Sequence, residues 1–150
     1  MTPAVEAARR AGIDFRLHTY EGVELGDGDY AVAVAAALGL PPERVFKTLV
    51  ASVDGRPAVF VVPADRQLDL RAAGKRVVLA DRATAERVTG YVIGGISPLG
   101  QRKQLPTTVD ESALLFDTIL VSAGRRGLQI ELAPDDLGAL TGAAFAAIAR

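Results

Sequence analysis

Two β-rich runs separated by Asp54-Gly55 constrain the fold more than any other feature of this sequence. The runs cover residues 45–53 and 58–62, and an Asp-Gly pair between such runs is a strong signal for a tight antiparallel hairpin. Lys47 lies in the first run, so its side chain is expected to project from a strand. A strand holds a side chain more rigidly than a loop does, which suits either an ion pair or a ligand contact.

The remaining chain alternates between helix and strand signals. Capping residues and terminal glycines predict helices at 2–11, 30–38, 68–73 and 81–89, with a closing helical region from Pro134. Further strands are expected at 15–20, 77–80 and 105–109, with a second hairpin formed by 118–123 and 128–132. Within 15–20, His18 and Tyr20 would share one face, and Phe15, Leu17 and Thr19 the buried one. The pattern favours one domain of mixed α/β (α+β) class with a largely antiparallel mixed sheet.

Composition excludes several kinds of chemistry. The 150 residues contain no cysteine and a single histidine, which rules out disulfides, a protein thiolate and multi-histidine metal sites. A metal site built from carboxylates alone stays open, but no clustering of carboxylates supports it, so neither a metal nor another cofactor is expected. No apolar run approaches the length that spans a bilayer, and the sequence does not begin with a signal peptide, so a soluble, cytoplasmic protein without a membrane partner is expected.

A glycine-rich stretch at 89–100 suggests a ligand site together with Lys47. Gly94 and Gly95 would allow close approach of the backbone and offer main-chain N–H groups to a carbonyl or phosphate oxygen, while Pro98 would stiffen the exit. Paired glycines also serve tight turns and close packing, and that alternative stays open.

Three short basic clusters could contact a nucleic acid locally. The formal net charge of −1 provides no global attraction to a polyanion. Each cluster is also compatible with a solvated face, so none identifies an RNA site by itself. The clusters are Arg71 with Lys75 and Arg76, Arg102 with Lys103, and Arg125 with Arg126.

Several ordered motifs resemble the YbaK family of aminoacyl-tRNA deacylases, the single-domain relatives of the editing domain of bacterial prolyl-tRNA synthetases. The resemblance covers essentially residues 1–150, and its arrangement is most similar to the branch that removes cysteine mischarged onto proline tRNA. The motifs are Thr2-Pro3-Ala4, His18-Thr19-Tyr20-Glu21, Phe46-Lys47-Thr48-Leu49, Gln67-Leu68-Asp69-Leu70, Thr89-Gly90-Tyr91, Gly94-Gly95-Ile96-Ser97-Pro98-Leu99-Gly100-Gln101 and Arg126-Gly127-Leu128.

The resemblance implies a curled central sheet flanked by helices and a pocket for the aminoacylated 3′ end of a mischarged tRNA. It also implies a partnership with prolyl-tRNA synthetase. The chain departs from the pattern at Gln129, where relatives often carry an acid, and glutamine cannot act as a carboxylate base. The residues implied as catalytic are Lys47, Gly94 and Gly95, and those implied as substrate-binding are Tyr20, Tyr30, Ser97 and Ser122.

The sequence supplies no evident nucleophile for cleaving an aminoacyl ester. A cysteinyl substrate could attack its own carbonyl through its thiol, whose pKa of about 8.5 leaves a few per cent thiolate near neutral pH. Two alternatives remain open: a related deacylase that removes alanine or serine with activated water, and a non-catalytic module that binds the tRNA end or the synthetase.

Overall fold

The elements follow the capping and turn signals of the sequence closely. The computed structural model describes residues 1–25 and 29–150. The described helices are α1 (Pro3–Ala11), α2 (Tyr30–Leu38), α3 (Leu70–Ala73), α4 (Arg82–Thr89) and α5 (Pro134–Thr141), with short 3₁₀ turns at Pro42–Arg44 and Glu111–Leu115. The described strands are β1 (Phe15–Thr19), β2 (Phe46–Val53), β3 (Arg56–Pro63), β4 (Val77–Leu79), β5 (Thr107–Asp110), β6 (Ile119–Ser122), β7 (Leu128–Leu132) and β8 (Ala144–Ala146).

Side-chain caps explain where the helices begin. The Thr2 hydroxyl accepts a hydrogen bond from the Val5 N–H at 3.2 Å, which satisfies one free donor at the start of α1. Asp81 accepts from the Thr84 N–H at 2.7 Å at the start of α4. That helix ends at Gly90, whose φ of 82° is left-handed. The glycine-rich loop therefore starts directly at the end of α4.

The strands form two hydrogen-bonded sheets. One has the order β1-β7-β6 and is antiparallel throughout. The other has the order β4-β2-β3-β5-β8, in which β2 pairs antiparallel with β3 and β4, while β3–β5 and β5–β8 are parallel. A single parallel bridge between Val45 and Leu120 joins the two sheets. The predicted class, a mixed α/β domain with mostly antiparallel pairing, is confirmed.

Three apolar clusters among the described residues hold this arrangement together, and two of them hold α1 and α2 in place. The largest draws residues from both sheets and from α1, among them Val5, Phe46 and Ile130, all nearly inaccessible to water. A smaller cluster packs Ala35 of α2 against Leu120 and its neighbours at the joint between the sheets. Helix α2 is thereby fixed beside the point where β2 and β6 come together.

Two predictions differ from the structure. Leu17 faces the same side as the buried Ile130 across the β1–β7 ladder, but it is 42% exposed because β1 is an edge strand. The closing helical region also stops at Thr141, and β8 follows after Gly142. The burial expected along β1 also fails at Thr19, which is exposed, whereas Tyr20, directly after the strand, is only 8% exposed. His18 lies opposite Gln129 of β7 in the ladder.

Among the helices of residues 1–25 and 29–150, none combines the length and the apolar character needed to cross a bilayer.

Candidate active site

A cavity of about 270 Å³ lies between α2, the first half of β2, the β6–β7 hairpin and the glycine-rich loop. Most of its wall is apolar, and a few polar groups converge on it, which is the usual make-up of a small-molecule site. Its lining residues are Leu25, Asp29, Tyr30, Ala31, Val34, Val45, Phe46, Lys47, Thr48, Leu49, Ala64, Ile93, Gly94, Ile96, Ser122 and Gln129.

Lys47 brings a half-buried cation into this wall. It lies on β2 opposite Val62 of β3, and its Nζ donates a hydrogen bond to the Ala64 carbonyl oxygen at 3.3 Å. Burial lowers the pKa of Lys47, while the negative charges of Asp29 and Asp65 act in the opposite direction. An ammonium group has three donors, so two remain for oxygen atoms of a ligand.

The two adjacent glycines have different roles in the loop. Gly94 lines the cavity with a φ of 84°, and a Cβ there would lie 3.0 Å from Arg126 Nε and from Leu25 Cδ2. Gly95 is buried, and a Cβ on it would come within 2.7 Å of the Arg125 Cα. Its N–H donates to the Val92 carbonyl oxygen at 2.9 Å. Only Gly94 therefore contributes to the cavity, whereas Gly95 permits close packing and its donor is committed to a turn.

A pair of tyrosines stands at the start of α2. Tyr30 lines the cavity, and Tyr20 lies buried behind it with the two hydroxyl oxygens 2.8 Å apart. The rings meet edge to face, with centroids 6.5 Å apart and an angle of 61°. Burial, together with the hydrogen bond between the two hydroxyl groups, raises the pKa of Tyr30. Tyr20 therefore orients Tyr30 and does not itself belong to the cavity wall.

The two serines are also separated by the fold. Ser122 lines the cavity opposite Gln129 in the β6–β7 ladder, and its hydroxyl accepts from the Gly124 N–H at 3.3 Å. Ser97 is fully buried, and its hydroxyl accepts from the Leu99 N–H at 3.2 Å. Ser97 thus stabilises the turn after the glycine pair and does not line the cavity, so the substrate contact expected for it stays a prediction.

Two polar atoms of the cavity wall are potential ligand contacts that the sequence did not predict. Gln129 Oε1 and Thr48 Oγ1 are buried without a hydrogen-bond partner among the described residues, and both side chains line the cavity. Both residues belong to the sequence motifs, Gln129 as a departure from the family pattern and Thr48 as the neighbour of Lys47, but the motifs give neither of them a binding role. Unpaired buried acceptors are costly and rare, so they mark positions where a ligand or a water molecule would supply the missing bond.

His18 is engaged outside the cavity wall. Its Nε2 lies 2.7 Å from Glu131 Oε1, and the other carboxylate oxygen accepts from Arg44 at 2.8 Å and from the Thr118 hydroxyl at 2.6 Å. Within the described ranges, no three His, Cys, Asp or Glu side chains are grouped closely enough to hold a metal ion.

Comparison with known proteins relates this chain to translation. The profile of the aminoacyl-tRNA editing domain matches residues 27–140. EbsC of Enterococcus faecalis, named as a candidate Cys-tRNA(Pro)/Cys-tRNA(Cys) deacylase, is 43% identical over 125 residues, covering 79% of this chain and 76% of EbsC. A proline–tRNA ligase of Elusimicrobium minutum is 33% identical over 95 residues, which are 60% of this chain and 17% of the ligase.

A solved structure extends the likeness to the whole fold. The crystal structure of a candidate trans-editing enzyme for prolyl-tRNA synthetase superposes with a TM-score of 0.79 at 25% identity, covering 100% of this chain and 99% of the other. The family match spans most of the chain, and parts of two motifs of the YbaK resemblance, those around Lys47 and Gly94, line the cavity. The chain belongs to the aminoacyl-tRNA editing domain family.

Proposed function

We propose that this protein is a trans-editing deacylase that removes cysteine from mischarged tRNA(Pro) in the cytoplasm. The observation that carries the proposal is a cavity with a fixed cation, Lys47, and no activated protein nucleophile among the described residues. The Ser122 hydroxyl touches a backbone N–H rather than a base, His18 is paired with Glu131, and the chain has no cysteine. The name of EbsC and the family description point to the same substrate class.

The substrate's own thiol then supplies the nucleophile. Its sulfur bonds to the ester carbonyl carbon and the bond from that carbon to the ribose oxygen breaks. The proton lost by the thiol ends on the ribose hydroxyl, and the products are free tRNA and a cysteine thiolactone that water can open. The protein contributes position and electrostatics: Lys47 would face the ester or ribose oxygens, and Gly94 lets the backbone approach the carbonyl.

One observation favours a second candidate. The unpaired Gln129 Oε1 and Thr48 Oγ1 could hold a water molecule inside the cavity. A deacylase that uses such a water would remove alanine or serine without help from a substrate thiol. A module that binds the tRNA end or prolyl-tRNA synthetase without turnover is the third outcome that an activity assay separates.

The test follows deacylation of Cys-tRNA(Pro), Ala-tRNA(Pro) and Ser-tRNA(Pro) by the protein and its Lys47→Ala variant. We expect loss of cysteine alone, with kcat/KM about 10²–10³-fold lower in the variant because a preorganised cation is removed. Lys75→Ala, at an exposed position, is the matched control and should retain wild-type rates.

Three other outcomes of the deacylation assay would contradict parts of this proposal. Cleavage of alanine or serine esters as fast as cysteine esters would favour the water-using deacylase. Tight binding of tRNA without turnover would favour the binding module. A Lys47→Ala protein that unfolds at the wild-type temperature and cleaves at the wild-type rate would remove Lys47 from the mechanism.

A further inference from the structure

The turn between β6 and β7 carries two consecutive exposed arginines, Arg125 and Arg126. Gly124 and Gly127 flank the pair with φ values of 101° and 88°, so the chain reverses tightly at this point. This is one of the three basic clusters that the sequence left unassigned. Its position relative to the cavity distinguishes it from the other two.

The turn is fixed against the loop that forms the cavity wall. Arg126 Nε donates to the Ile93 carbonyl oxygen at 2.9 Å, and the backbone of Arg125 packs so closely on Gly95 that no Cβ would fit between them. Ile93 and Gly94 both line the cavity. Both arginines therefore lie beside the cavity on a defined backbone, and their orientation does not depend on a flexible tail.

Most of the donors of these guanidinium groups remain available. Arg126 uses Nε for Ile93, and Arg125 uses Nη1 for the carbonyl oxygen of Arg126 at 3.3 Å. A guanidinium group has five N–H donors, so each arginine keeps both the charge and the fork that match a phosphate. The nearby Glu86 carboxylate accepts through Oε2 from the Ile93 N–H at 2.8 Å and from Arg82 Nε at 3.4 Å. Its charge also acts on Arg126, but no hydrogen bond joins the two side chains in the described part of the chain.

The other two clusters lack this relation to the cavity. Arg76 is paired with Asp54 at 3.3 Å, beside the tight turn of the first hairpin. Arg102 covers Gly90 at the end of α4, with its Cβ 3.4 Å from where a Cβ on that glycine would lie. Neither cluster contacts a residue of the cavity wall through a hydrogen bond found in the described part of the chain.

The chemistry of the substrate explains why cations are needed at this place. When an ester at the 3′ end of an RNA occupies the cavity, the first backbone phosphate is attached to the 5′ side of the same ribose and extends away from the ester. The net charge of −1 gives the protein no general attraction to RNA. A local pair of arginines next to the opening would provide both attraction and register.

We propose that Arg125 and Arg126 bind the backbone phosphates of the RNA 3′ end whose terminal ester enters the cavity. The inference rests on the proposed function, because it deepens the description of the same site by naming the side chains that receive the nucleic acid.

The experiment measures the Kd of uncharged tRNA(Pro) and the KM of Cys-tRNA(Pro) at 50–200 mM KCl for the wild type, Arg125→Gln and Arg126→Gln. Each variant should raise both constants roughly three- to tenfold at the lowest salt and reduce the slope of log Kd against log salt by about 0.7–1. Arg71→Gln, which removes an exposed arginine of α3, is the matched control and should keep the wild-type slope.

A substrate without phosphate tests directly whether the arginines act on the RNA backbone. The ratio of kcat/KM for Cys-tRNA(Pro) to that for the 3′-cysteinyl ester of adenosine should fall in both variants and stay constant in Arg71→Gln. Arg126→Gln removes both a charge and the hydrogen bond to the Ile93 carbonyl oxygen. Arg125→Gln removes a charge and leaves that bond in place, and Arg126→Lys keeps the charge, so the two variants separate loss of charge from loss of loop support. The Lys variant should recover most of the salt slope.

The outcomes distinguish this inference from the proposed function. Wild-type salt slopes in both Gln variants, with normal turnover, would overturn the inference and leave the deacylase intact. Absence of turnover in the wild type would contradict the deacylase, and the Kd slopes would still decide on the arginines. Unchanged RNA slopes together with lost binding to prolyl-tRNA synthetase would overturn the inference in favour of a protein contact.

Discussion

Gln129 places a neutral acceptor in the cavity wall, and glutamine cannot act as a carboxylate base. Its side chain is 5% exposed, and Oε1 has no partner within the described residues. A buried acceptor without a hydrogen bond costs stability relative to an apolar group of similar shape. The position is therefore explained better by contact with a ligand than by support of the fold.

Replacing Gln129 with methionine should separate these two effects. Gln129→Met keeps the length of the side chain and removes the unpaired amide, so we expect the free energy of unfolding to rise by about 1 kcal/mol. Deacylation should fall in the same protein. Urea titration monitored by circular dichroism measures the first quantity, and tRNA deacylation the second.

Gln101→Met is the matched control for this change. Gln101 Oε1 is also unpaired, but its Nε2 donates to the Ser97 carbonyl oxygen at 3.0 Å. Methionine would break that bond, so the control should lose stability. A loss of stability in Gln129→Met as well would mean that the amide of Gln129 supports the fold.

At the residue scale, four of the seven residues that the resemblance implies for the site line the cavity, while Tyr20, Gly95 and Ser97 do not. Lys47, Tyr30, Gly94 and Ser122 line the cavity. Ser97 does not, because a motif specifies a turn without specifying which of its atoms face inward. The place of Gln129 in the cavity wall depends on α2, β2 and β7, which are far apart in the sequence, lining one space, and no local pattern encodes that arrangement.

At the scale of elements, the glycine-rich loop depends on close contact with the β6–β7 turn. Gly95→Ala would force a Cβ to within 2.7 Å of the Arg125 Cα and 2.9 Å of its carbonyl carbon. Backbone atoms cannot move aside as a flexible side chain can. We expect the free energy of unfolding to fall by about 1–3 kcal/mol, as for other overpacked sites, and the cavity wall at Gly94 to shift.

Gly39→Ala provides the comparison for this prediction. Gly39 ends α2 with a φ of 69°, and a Cβ there meets nothing within 4 Å. Its cost should come from the left-handed backbone alone, about 1 kcal/mol, with deacylation unchanged. Denaturant titration and kcat/KM for both variants test this. Equal activity in the two proteins would contradict the idea that the packing of Gly95 shapes the site.

The one strand that the sequence did not predict shows the limit of local signals. β8 has three residues and pairs in parallel with β5, matching Ala144 to Thr108. Hairpins reveal themselves through a turn such as Asp54-Gly55, whereas a parallel pair has no turn signal between its strands. Alanine-rich composition also favours helix, so tertiary pairing decided the conformation here.

For the whole molecule, Glu131 joins parts of the chain that are far apart in sequence. One oxygen pairs with His18 on β1, 113 residues away, and the other with Arg44 and with Thr118, before β2 and β6 respectively. The carboxylate is largely buried, with an exposed fraction of 18%. The hydrogen bond from Thr118, with further contributions from His18 and Arg44, lowers the pKa of Glu131 despite its burial. This network fixes the relative positions of the strands that carry Lys47 and Gln129.

That lowered pKa makes part of the stability sensitive to acid. In the unfolded chain the carboxyl has its ordinary pKa of about 4.3, so the stabilisation is fully present above that pH. It is lost as the pH falls from there through the lower pKa of the folded state. Glu131→Gln should reduce the free energy of unfolding by about 1–3 kcal/mol at pH 7, because Arg44 and His18 lose a charged partner.

The pH dependence of the free energy of unfolding tests whether the Glu131 charge stabilises the fold, independently of how much stability Glu131→Gln loses at pH 7. Measured by urea titration from pH 7 to pH 3, the wild-type and Glu131→Gln stabilities should converge below pH 4.3, since the other carboxyl groups titrate alike in both proteins and cancel in the difference. Glu6→Gln removes the exposed partner of Arg9 and should show at most a small, nearly constant difference. Curves for Glu131→Gln and the wild type that stay parallel down to pH 3 would mean that the Glu131 charge does not hold the strands together.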